Sequence, residues 1–123
     1  MLDDFIDEWI NWQIANYNND DAPLHWTDNY LIKLLLTRQT EALWEFIVCV
    51  YNRDVEEIIS ILATGCLEDL LAIDGEKFID RVEALALCHS SFKASLCYVW
   101  KSASMSDVVW ERICVARGEC ASQ

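Results

Sequence analysis

The groups in this chain that could do chemistry are carboxylates, thiols and two imidazoles, and their spacing decides between them. The first 32 residues hold Asp3, Asp4, Asp7, Glu8, Asp20, Asp21 and Asp28 with no Lys or Arg, a formal charge of −7. Residues 33–88 carry −6 and residues 89–123 carry +1, which gives the −12 of the whole. An acidic field of this kind repels nucleic acid and anionic lipid, whereas it attracts a basic protein and speeds its docking. Trp12 and Trp26 lie on or beside the arm, and tryptophan is the residue type most enriched at interface hot spots. The expected partner-binding set is therefore Asp3, Asp4, Asp7, Glu8, Trp12, Asp20, Asp21, Trp26 and Asp28. Solubility is the competing explanation for the same acids.

The other chemistries fare worse. The six cysteines are separated by 17, 22, 9, 17 and 6 residues, without the short paired spacing that marks a zinc site, so no metal and no cofactor is expected. Free thiols are the default, with Cys49 and Cys97 as small buried apolar residues and Cys120 exposed. Cys88 and His89 resemble a nucleophile and its base, but adjacent helical residues point about 100° apart. A buried Cys beside an exposed His is the simpler reading. Asp74-Gly75-Glu76 echoes a calcium loop, yet Leu70 and Ala72 stand where oxygen donors are needed. No phosphate-binding glycine loop, H-E-x-x-H or G-x-S-x-G occurs, so no catalytic residue is assigned and the chain is read as a non-enzyme.

The elements that must position these groups are helices. Leu2, Phe5, Ile6, Trp9 and Ile10 recur at three and four, predicting a first helix that fades by Asn16–Asn19. Asn18 to Pro23 is a loop. Thr27 caps a second helix with Tyr30, Leu31, Leu34 and Leu35, and Thr40 caps a third with Leu43, Phe46, Ile47 and Val50. Asp54 and Glu57 form a D-x-x-E capping box for a fourth, which Gly65 breaks. A short fifth ends at Gly75 in the left-handed conformation. Phe78, Ile79, Val82, Leu85 and Ala86 face a sixth, Ser90 or Ser91 caps the next, and Ser106 caps the last, with Val108, Val109 and Ile113. Trp44, Trp100 and Trp110 stand beside apolar positions and are expected in the core. The expectation is all-α: seven or eight short antiparallel helices over residues 1–123 as one domain, an irregular bundle ahead of a helical-hairpin repeat.

The amino terminus lacks the positive charge and apolar stretch of an export signal, and no apolar run reaches the roughly 20 residues that span a bilayer. Both point to a cytoplasmic protein away from the membrane.

The segments Gly65-Cys66-Leu67-Glu68-Asp69-Leu70-Leu71, Gly75 to Ala86, Val99-Trp100 and Met105 to Arg112 together resemble an uncharacterised bacterial all-helical family of unknown function. The likeness departs at Cys66, where the family reads Pro. It implies a bacterial origin and a small domain of the kind encoded beside secreted toxins as immunity proteins, with Leu70, Leu71, Phe78 and Val82 in the core. The function expected is thus neutralisation of a bacterial toxin domain with a basic cleft, nuclease-like, by direct binding. An acidic mimic of DNA aimed at a phage-defence enzyme and a helical adaptor or assembly module are the alternatives.

Overall fold

Seven α-helices carry residues 2–120, the part of the chain that the computed structural model describes: α1 Leu2–Asn16, α2 Trp26–Leu36, α3 Thr40–Asn52, α4 Glu56–Leu62, α5 Glu68–Cys88, α6 Ser90–Ser95 and α7 Asp107–Arg117. A π turn, Ala63–Leu67, joins α4 to α5, and a 3-10 turn, Leu96–Tyr98, follows α6. No strand occurs among the described residues, so the all-α expectation holds. Nor is any described helix long and apolar enough to cross a membrane.

The three-and-four spacing places most of the core where it was expected, although Leu2, Tyr30 and Val108 of the expected inward faces are exposed. Ile6, Trp9 and Ile10 of α1, Leu31 and Leu34 of α2, and Leu43, Phe46, Ile47 and Val50 of α3 are all buried. They join Leu70, Leu71, Phe78 and Val82 of α5 and Val109 and Ile113 of α7 in one contiguous cluster. Tyr51 is among the largest side chains fully enclosed in it. Its hydroxyl donates to Ser95 Oγ at 2.6 Å, and Ser95 donates on to the Phe92 carbonyl at 2.6 Å, so the buried polar groups of that chain are satisfied.

Helix ends depart from the sequence reading. Ser106 does cap α7, its Oγ accepting from Val109 N at 3.2 Å. At α2 the cap is His25, while Thr27 is fully buried with its hydroxyl 2.8 Å from His25 Nδ1. At α3 the Thr40 hydroxyl leaves its own helix and donates to Asp74 Oδ2 at 2.8 Å. The proposed box at α4 does not form: Asp54 has φ 55°, Val55 holds the cap position, and Asp54 Oδ1 instead accepts from Ser91. His89, rather than Ser90 or Ser91, caps α6 by accepting from Phe92 N. In each case a polar side chain finds a partner from another element or a better-placed neighbour, which local spacing does not encode.

Both glycine stops are also corrected. Gly65 lies inside the π turn and the helical path continues through it. The irregularity near Gly75 sits one residue earlier, at Asp74, with φ −139° and ψ 32°. Gly75 is helical and buried because α7 comes down on it: a Cβ there would lie 3.0 Å from Val109 Cγ1. Trp44 and Trp110 pack at the edge of the core, but Trp100 is 73% exposed, since the 3-10 turn ends the helical register and hands the inward position to Val99.

Cys97 and Cys120 form a disulfide, with Cα atoms 5.7 Å apart, against the expectation of free thiols throughout. Gly118, at φ 66°, turns the chain after α7 back beside Lys93, a reversal that sequence spacing hides. Closing a loop of this length constrains the unfolded chain by about 3 kcal/mol in the chain-entropy view. Cys49, Cys66, Cys88 and Cys114 are free; Cys49 is only partly buried and Cys88 is exposed.

The two glycines should respond oppositely to substitution. Gly65→Ala adds a Cβ with no atom within 4 Å and removes a flexible residue from a helical path, so it should stabilise by about 0.5–1 kcal/mol. Gly75→Val should destabilise by about 1–3 kcal/mol, because the new atoms meet Val109. Chemical denaturation of both variants gives the two signs directly.

Candidate functional site

Asp28 sits where α1 meets α2. Its carboxylate accepts from Trp9 Nε1 at 3.1 Å, from Gln13 Nε2 at 3.0 and 3.3 Å, and from the His25 backbone N–H at 3.4 Å. A carboxylate with that many donors is held in place and pins the two helices together. Next to it, the His25 ring stacks on Trp12 with centroids 4.7 Å apart, and His25 Nε2 lies 4.0 Å from Glu8. Trp12 is therefore half-buried. Trp26 stands out, 55% exposed, as does Tyr30 at 50%. Phe5 lies edge-on to both at 5.4 and 5.2 Å and packs against Phe46 at 5.7 Å, so a continuous aromatic series runs from the core to the surface.

The charges sort into two groups. Arg53, at the end of α3, bridges Asp3 and Asp7. Glu41 takes a bidentate pair from Arg81 at 2.7 and 2.9 Å and a further contact from Lys77 at 3.3 Å. Arg112 of α7 holds Glu83 and Asp80 of α5. Asp4, Glu8, Asp20 and Asp21 have no Lys or Arg partner among the described residues. These four are exposed, and with Trp26 they make up the unpaired part of the expected set; Tyr30, expected on the apolar face of the second helix, is exposed beside them in the chain. The fold thus divides that set: Asp3 and Asp7 face Arg53, Asp28 and Trp12 are engaged internally, and the rest are open to solvent.

Two concave features flank α2. A notch of about 400 Å³ is lined by Leu2, Phe5, Tyr30, Leu34, Glu45 and Phe46. A cleft of about 290 Å³ lies between α1, α2, α3 and the π turn, with Trp9, Asp28, Ile61, Gly65, Cys66 and Asp69 in its walls. Burial pushes the Asp69 carboxyl above the usual carboxylate range and raises the Cys66 thiol to about 12, so the latter is no nucleophile at neutral pH. From the sequence, Gly65 has a role only as a helix stop, and no site role falls to Cys66 or Asp69. The only signal in their favour was the glycine in an otherwise apolar helical stretch.

The Cys88–His89 pair is the reverse of the expectation. Cys88 is exposed and His89 is half-buried, its Nδ1 accepting from Phe92 N at 3.2 Å as a helix cap. Among the described residues no three His, Cys, Asp or Glu side chains come together as a metal would require.

Glu41 supplies a pH test of this charge allocation. Its hydrogen bonds from Arg81 lower its pKa from 4.5 to about 2. A lowered folded-state pKa means stability that is present above the unfolded value and lost as pH falls from about 4.5 to about 2. Side-chain carboxyl NMR titration should show Glu41 ionised well below pH 4, and Arg81→Gln should raise its midpoint toward the ordinary range, with the Lys77 contact still holding it lower.

The profile of a family of unknown function (DUF6869) matches residues 15–120, which spans the π turn and everything from α2 to the disulfide but leaves out most of α1, including Trp9 and Gln13 of the cleft. No curated protein and no solved structure matches the chain. With most of its length inside that match, the chain belongs to the DUF6869 family of unknown function.

Proposed function

We propose that this protein is a non-enzymatic binding protein that docks a basic protein domain, acting as an immunity protein of bacterial origin that covers the basic cleft of a nuclease-like toxin. The observation that carries the reading is the occurrence of uncompensated carboxylates, Asp4 and Glu8 on α1 and Asp20 and Asp21 in the segment joining it to α2, together with the exposed aromatics Trp26 and Tyr30 of α2. Nucleic-acid-cleaving domains carry cationic clefts for the phosphates, and a carboxylate surface can occupy that place. Long-range attraction brings the surfaces together, and the aromatic anchors slow their separation. The notch beside Phe5 and Tyr30 offers a concave seat for a partner side chain.

The compartment we infer is the cytoplasm, in keeping with four free cysteines. The Cys97–Cys120 bond favours a second assignment, an oxidising compartment, because such bonds are rarely maintained among cytoplasmic thiols. A helical adaptor is the second functional reading. It is favoured by a different apolar surface, where Leu87 is 91% and Val115 81% exposed beside Cys88 and Lys93.

Co-purification from the native host identifies the partner, and rate measurements at two ionic strengths then test the surface. Neutralising Asp4, Glu8, Asp20 and Asp21 to Asn or Gln should slow association by roughly tenfold or more at low salt and flatten its salt dependence, with the fold unchanged. Trp26→Ala should act on dissociation, costing about 2 kcal/mol. Association and dissociation rates equal to the parent's in both variants would dismiss this surface.

A further inference from the structure

The cleft between α1, α2, α3 and the π turn has a composition that selects its occupant. Its walls are apolar, with the Trp9 ring, Leu31, Leu35 and Ile61. At Gly65 the wall stops: the position of an absent Cβ has no atom within 4 Å, so the cleft extends to the helix backbone. Two carboxylates complete it. Asp28 is saturated by the Trp9, Gln13 and His25 donors, while Asp69 at the mouth has no hydrogen-bond or ion-pair partner among the described residues. None of the lining residues is Lys or Arg.

Charge and shape together narrow the ligand class. Two negative groups without a cation exclude phosphates, nucleotides and other anions. A neutral apolar ligand would cover Asp69 and leave a carboxylate desolvated without compensation, which is unfavourable. A thin aliphatic stem ending in a cation fits all three features, with its methylenes against the apolar walls and its head on Asp69. At about 290 Å³ the cleft lies at the small end of ligand sites, suited to one extended side chain and too small for a folded cofactor. A π turn in a helical path is itself a feature found most often at functional sites.

We propose that this cleft receives a single arginine or lysine side chain projecting from the basic partner. This rests on the partner reading above for its source of the cation, and the recognition chemistry is that of an alkylguanidinium or alkylammonium group.

The test uses n-butylguanidinium against its neutral counterpart n-butylurea, titrated into the full chain and followed by NMR at the Trp9 indole N–H and the Gly65 and Cys66 amides. Saturable shifts with a dissociation constant on the order of 1 mM are expected for the guanidinium. The urea should bind at least about tenfold more weakly. Asp69→Asn should remove that preference, and Gly65→Leu, which fills the cleft from open space, should remove binding of both while Gly65→Ala confirms that the fold tolerates the position. Equal binding of the urea, shifts that survive Asp69→Asn unchanged, or shifts confined to the acidic residues of α1 would each overturn the inference. The small probe reads the cleft without any partner. A silent cleft with arm variants that still slow the partner would refute this inference alone, and a responsive cleft with indifferent arm variants would refute only the acidic surface.

Discussion

The structure depends on one nearly unbroken helical path, Glu56 to Cys88, and on two local irregularities within it. Among the described residues, α1 and α6 pack on α4, α3 on the π turn and α5, and α6 and α7 on α5, while α2 packs on α1 and α3. A regular helix over that length would present one stripe to one side. The π turn at Ala63–Leu67 and the kink at Asp74 rotate the apolar stripe, so that Ile58 and Leu62, then Leu67, Leu70 and Leu71, then Phe78, Ile79 and Val82 are all buried against different neighbours. Thr40 holds the kink from α3 through Asp74, and Gly75 beside it lets α7 approach. A single backbone path thereby supports α1, α3, α6 and α7 directly.

Charge is the second constraint. Nine Lys and Arg must serve twenty-one Asp and Glu, and three arginines each reach across to another helix: Arg53 to α1, Arg81 to α3, Arg112 from α7 to α5. Exposed ion pairs of this kind contribute little stability individually. Their consequence is spatial. They pair Asp3 and Asp7 of α1, Glu41 of α3, and Asp80 and Glu83 of α5, and within the amino-terminal arm they leave Asp4, Glu8, Asp20 and Asp21 without a Lys or Arg partner among the described residues, close in the chain to Trp12, Trp26 and the Asp28 node.

Much of the fold was legible before any coordinates. Apolar spacing of three and four is a direct projection of helix geometry, so the helices and the inward positions of Ile6, Trp9, Leu31, Phe46, Phe78 and Val82 follow from residue order alone. Caps were legible only where the partner is local, as at Ser106 and Val109. The acidic character of the amino-terminal arm and the absence of any short-spaced metal or phosphate motif were equally plain in the sequence.

What tertiary structure alone decided was which of those residues meet. Thr40 left its helix end for Asp74, Asp28 turned from a candidate contact into the joint between α1 and α2, and Cys97 found Cys120 across a chain reversal at Gly118. The cleft at Gly65 belongs to the same class, since an absent side chain is visible as space only when three other helices surround it. The physical reason is common to all of them. Helix formation and amphipathic burial are set by neighbours three and four residues away, whereas hydrogen-bond partners, ion pairs and cavities are set by side chains from distant segments, whose approach is fixed by packing and not by local order.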